Sequence, residues 1–89
     1  MADPSPPITP EQSRAARALL DWSQERLAEK AELSGGSVRH FEKGRQPLSP
    51  NNLAAVRAAL EKAGVEFIAE NGGGAGVRLA KRSKGKARK

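Results

Sequence analysis

Few residues of this chain could do covalent chemistry. It has one histidine, His40, and no cysteine, which removes thiol nucleophiles, a disulfide framework and thiolate metal sites. A lone imidazole with no cluster of metal ligands around it offers no metal centre, and so small a domain has little room for a substrate pocket. We expect no enzyme and no cofactor. The chemistry these residue types do support is cationic recognition. In LSGGSVRHFEKGRQPLS, residues 33–49, the side chains of Arg39, His40 and Lys43 follow closely on one another, with Arg45 and Gln46 just behind. Such groups donate hydrogen bonds to base-edge acceptors and phosphate oxygens.

The net charge of +6 supports that reading less than its distribution does. Residues 81–89, KRSKGKARK, hold six of the sixteen basic side chains and no acid, whereas the other eighty residues carry ten of each sign. Cationic surface on the folded part therefore requires charges segregated onto faces, and the tail reads as a disordered run adding salt-sensitive, sequence-blind affinity. Only three aromatic residues occur, too few for the stacking platforms of single-strand or RNA binders. Trp22 is read instead as an anchor between helices. NGGGAG lacks the GK[ST] ending and glycine spacing of phosphate loops, so it is read as a turn. No apolar run could span a bilayer, and MADPSPPITP has neither the basic start nor the apolar centre of a secretion signal. A cytoplasmic protein is expected.

The elements that must position these groups follow from capping residues and apolar spacing. Residues 1–8, with three prolines, read as a poorly ordered lead-in. Thr9, Pro10 and Gln12 form a capping box for a helix to about Leu20, with Ala15, Ala16, Leu19 and Leu20 turned inward. Ser23 caps a second helix, Gln24 to Ala31, with Leu27, Ala28 and Ala31 inward, and Ser34 caps a third over 35–43 that stops at Gly44. In that third helix Val38 and Phe41 share one face, and Gly36, Arg39, His40 and Lys43 the opposite one. Ser49 and Pro50 start a fourth helix burying Leu53, Val56, Leu60 and Ala63, and Gly64 ends it. VEFIAE and GVRLAK, joined through an Asn-Gly turn signal, read as a β-hairpin; a fifth helix is disfavoured by Val65 and the glycines.

Two short helices joined by about three residues, the second with a cationic outward face, form a helix-turn-helix suited to the major groove. SQERLAEKAELSGGSVRHFEKG is similar to the DNA-binding core of the phage repressor and Cro, or XRE-type, helix-turn-helix family, at Gln24, Leu27, Ala28, Ala31, Leu33, Ser34, Val38, Glu42 and Gly44. The resemblance extends over about residues 10–63. It implies that Gln24 contacts a phosphate, a solvated helix start being the alternative, and that Glu42 pairs with Arg17 of helix 1 to hold the scaffold. The two residues after Ser34 are often base readers in this family. Here both are glycine, Gly35 and Gly36.

Base reading then falls to Ser37, Arg39, His40 and Lys43, with Arg39 the choice for a bidentate guanine contact and an idle surface histidine the alternative for His40. Ser23, Gln24, Arg45 and Gln46 are assigned to the backbone, and Gly35 and Gly36 are read as clearing the helix start so that backbone N–H groups approach the DNA. Asn51 and Asn52 either meet phosphate at the start of helix 4 or are ordinary helix-start residues. The whole is a mainly α chain: a four-helix repressor-like domain over 9–64, a hairpin over 65–80 for dimerisation, and the basic tail. Leu60, Val65, Phe67, Ile68, Val77 and Leu79 are expected to form a homodimer contact. The expected function is a bacterial transcription regulator, a repressor, binding double-stranded DNA at an inverted repeat. The alternative is a protein-binding module, an antitoxin or antagonist of a second regulatory protein, using the hairpin edge and the acidic Glu25, Glu29 and Glu32.

Overall fold

Hydroxyl side chains start the helices. In the computed structural model, which describes residues 7–70 and 72–80, α1 spans Pro10–Leu20, α2 Gln24–Ala31, α3 Gly35–Glu42 and α4 Pro50–Lys62. Thr9, Ser23, Ser34 and Ser49 accept hydrogen bonds from the amides of Gln12, Arg26, Ser37 and Asn52, each satisfying a donor that the helix cannot. Thr9 and Gln12 complete a reciprocal capping box.

The helix ends are equally compact. Asp21 and Glu32 take left-handed φ values of 59° and 60°, and the amides of Trp22 and Leu33 then reach the carbonyls of Arg17 and Ala28 at 2.9 and 2.8 Å. Residues 32–34 alone separate α2 from α3, which sets α3 across its predecessor. α3 ends one residue short of the expected 35–43, with Lys43 as its C-cap and Gly44 turning the chain at φ 73°.

The core gathers Leu27, Ala28 and Ala31 from α2, Val38 and Phe41 from α3, Val56 and Leu60 from α4, together with Ala16 and Val65. It also takes Ile8, which is 4% exposed and so belongs to the folded domain rather than to the lead-in; residues 1–6, like the tail 81–89, lie outside the described residues. α1 buries only part of the expected face, keeping Ala16 and Leu20 but not Ala15 and Leu19. Gln12, Ser13 and Ala16 point inward, Leu20 is half-buried, and Ala15 and Leu19 face solvent. The reason is polar: Gln12 and Ser13 find buried partners in the hairpin and in α3, and these rotate the helix away from its apolar pair. Ala63, as the C-cap of α4, is exposed, and Leu53 is half-buried.

After Gly64 the chain forms β1, Val65–Ile68, and β2, Gly76–Leu79, paired antiparallel with Val65 opposite Leu79 and Ile68 opposite Gly76. The connection, 69–75, is longer than the two-residue hairpin loop for which Asn-Gly is the signal. A two-stranded ribbon is marginal alone. Here β1 packs on α4 and β2 on α1, and the Gln12 amide donates to the carbonyls of Ile68 (3.3 Å) and Gly76 (2.9 Å), clamping the hairpin where its strands part.

Candidate nucleic-acid interface

The orientation of α3 rests on one buried carboxylate. Glu42, at the end of α3 and 1% exposed, points into the junction of α1, α2 and α3, where it meets Arg17 as the resemblance implied. Arg17 of α1 meets it through Nη2 at 2.7 Å and Nε at 3.0–3.1 Å, Ser13 donates at 2.5 Å and Gln24 of α2 at 3.1 Å. Arg17 also reaches the Trp22 carbonyl at 3.0 Å, and Arg14 donates to the Glu42 backbone carbonyl. Burial pushes the Glu42 carboxyl up, but hydrogen bonds from Arg17, Ser13 and Gln24 and the charge of Arg17 outweigh that and hold it below its ordinary range. Three helices are thus locked by one anion whose lone pairs are well supplied with donors.

With its scaffold side fixed, α3 turns Arg39 and His40 to solvent, and Lys43 continues that surface from the C-cap. The His40 carbonyl accepts from the amides of Arg45 (2.9 Å) and Gln46 (3.4 Å), so these exposed residues are held next to the helix end. Arg39, His40, Lys43, Arg45 and Gln46 therefore form one donor-rich surface. Asn51, exposed, and Asn52, half-buried, stand at the start of α4, where the Asn52 amide is already engaged by Ser49.

Three of the assigned residues also make contacts within the domain. Gln24 has its amide nitrogen on Glu42, a contact within the scaffold that leaves its second N–H unassigned. The Ser23 hydroxyl accepts from Arg26, and the Ser37 hydroxyl shares a 2.9 Å hydrogen bond with Ser34. Both hydroxyls serve helix starts, and Ser37 is half-buried.

The surface near Gly35 and Gly36 is not bare. Glu25 of α2 and Arg39 meet there at 3.4 Å; a Cβ on Gly35 would stand 3.8 Å from the Glu25 carboxylate, and one on Gly36 3.8 Å from Arg39 Nη2. The sequence offered Glu25 only as part of an acidic surface for a protein partner. Sequence reasoning missed Ser13 and Arg14 as partners of Glu42 altogether, because nothing local to residues 13 and 14 announces a partner 28 or 29 positions away.

The expected dimer residues separate into two groups. Leu60 (0% exposed) and Val65 (3%) are consumed by the monomer's own core, which corrects their assignment to an interface. Phe67, Ile68 and Val77 are half-buried, and Leu79 is 51% exposed.

A helix-turn-helix family model, HTH_3, matches residues 14–67, the segment that carries the Glu42 lock, α3 and α4. The chain belongs to the helix-turn-helix family, of the XRE type. It is also similar to a solved structure described as the clp gene regulator ClgR from Corynebacterium glutamicum, at 30% identity and a TM-score of 0.51, over 63% of this chain and 65% of that one. The chain thus spans a little under two thirds of that relative's length. No curated protein matches it. Among the described residues no helix is long and apolar enough to cross a membrane, and no group of acids and histidine is placed to hold a metal ion.

Proposed function

We propose that this protein is a sequence-specific regulator, a repressor, that binds an inverted-repeat operator in double-stranded DNA as a dimer, with α3 in the major groove. The observation that carries the reading is the pairing of a locked scaffold with a donor-rich outer face: Glu42 is anchored from α1 and α2, while Arg39, His40, Lys43 and Arg45 stand in solvent on and just after the same helix. Arg39 reads a guanine edge, His40 reads beside it, and Lys43, Arg45 and Gln46 grip phosphates. Gly35 and Gly36 leave room for Glu25 and Arg39 to meet over the start of α3, and Asn51 and Asn52 meet the backbone from α4.

The second copy docks on the hairpin, against the exposed Leu79 and the parts of Phe67 and Val77 that the core leaves open on one face, with Ile68 on the other. The two α3 helices then enter successive major grooves about one helical turn apart. A protein-binding role, as antitoxin or antagonist, is favoured by three exposed acids, Glu25 and Glu29 on α2 and Glu32 at its C-cap. Amide chemical-shift mapping with duplex DNA separates the readings. Shifts concentrated on residues 35–46 support groove binding, whereas an unperturbed spectrum at millimolar duplex contradicts it.

A further inference from the structure

We propose that Glu25 is a positioning residue for base recognition, acting through Arg39 to restrict what that guanidinium can bind. The inference rests on the DNA-binding reading above and deepens it. Arg39 sits in the second turn of α3, yet its guanidinium lies back over the first turn, with Nη2 beside Gly36 and Nη1 3.4 Å from the Glu25 carboxylate. Glu25 arches across from α2 over Gly35. The two glycines form the floor on which this bridge rests: a Cβ at either would only touch it, and a longer side chain would occupy its path.

As a source of stability the pair is weak. The side chains are 45% and 72% exposed, and ion pairs so open to water contribute little. Its consequence lies in recognition. A carboxylate on the cationic surface repels phosphate, and it occupies one side of the guanidinium that carries the most specific contact. Arginine has five N–H donors in a rigid fork. With Nη1 turned to Glu25, the remaining edge can still meet the O6 and N7 acceptors of guanine. A wandering, phosphate-bound Arg39 must first abandon Glu25 and leave that carboxylate near the DNA backbone. Glu25 therefore penalises non-specific complexes more than the correct one, a contribution to discrimination rather than to affinity.

The test compares wild type, Glu25→Gln, Glu25→Ala, Arg39→Ala and the two double variants on a selected duplex and on a random duplex across a salt series. The Glu25 variants are expected to bind the random duplex more tightly, with a steeper salt slope, and to lose about two- to fivefold in the ratio of specific to random affinity. In the Arg39→Ala background that loss should vanish. Unchanged thermal midpoints would separate this from a folding effect. The inference is overturned if the ratio is unchanged, or if Glu25 substitutions tighten both duplexes equally with or without Arg39, which would reduce Glu25 to a distant charge. A DNA-free readout keeps the reading and the inference apart: relaxation of the Arg39 Nε–H group should show greater mobility in Glu25→Ala than in wild type. Equal mobility overturns the pairing even if DNA binding stands, and a wild-type chain that prefers no duplex overturns both.

Discussion

The Glu42 carboxylate and the Arg17 guanidinium meet at 2.7 Å with the Glu42 side chain wholly excluded from solvent, and this contact joins α3 to α1. Ser13 and Gln24 complete the shell. Because Arg17 keeps 18% of its side chain exposed, the pair is asymmetric: one ion is dry and the other still touches water.

Removing Glu42 should cost stability before it costs specificity. Glu42→Ala leaves Arg17 without its partner and empties a packed site, a loss of about 3 kcal/mol, the lower end for broken buried pairs since Arg17 can rehydrate. Urea unfolding measures it. A loss below about 1 kcal/mol, or altered base preference in a variant of native stability, would contradict the scaffold role.

The same carboxyl makes stability sensitive to acid. Its native pKa lies below the ordinary 4.5, so the unfolded chain takes up the proton more readily than the native one. The stabilisation is therefore present above the unfolded value and is lost as pH falls through the native value. Wild type should weaken progressively below pH 4.5, and Glu42→Gln, less stable at neutral pH, should weaken less steeply there. Parallel curves would place the acid sensitivity in other groups.

Gln12 predicts a local rather than a global effect. Its amide caps α1 and donates to Ile68 and Gly76, so Gln12→Ala should cost about 1–2 kcal/mol and release the hairpin first. Hydrogen exchange should accelerate across 65–68 and 76–79 more than in α3. Uniform acceleration would mean that Gln12 supports the core at large.

Arg39→Ala should relax preference at one or two base pairs, by about 1–3 kcal/mol of discrimination. Equal weakening on every sequence would make Arg39 a phosphate contact.

How much of this was legible in the sequence depends on the range of each interaction. The capping residues Thr9, Ser23, Ser34 and Ser49 were readable because an N-cap bonds an amide three positions on, and with them came the four helices and the three-residue turn. The Arg17–Glu42 pair came from family resemblance rather than from spacing. The buried side of α1 was read only in part because Gln12 and Ser13 owe their burial to partners far along the chain. Leu60 and Val65 looked available for a partner because only the docking of β1 on α4 shows that the monomer uses them. Glu25 and Arg39, fourteen positions apart, are brought together by the angle between α2 and α3, which no local pattern states.

The central claim, that α3 reads DNA sequence from a symmetric dimer, is tested most directly by selecting binding sites from a random duplex pool at moderate salt. The account predicts enrichment of an inverted repeat with half-sites about one helical turn apart. Failure to enrich any sequence, or a single unpaired half-site, would contradict it.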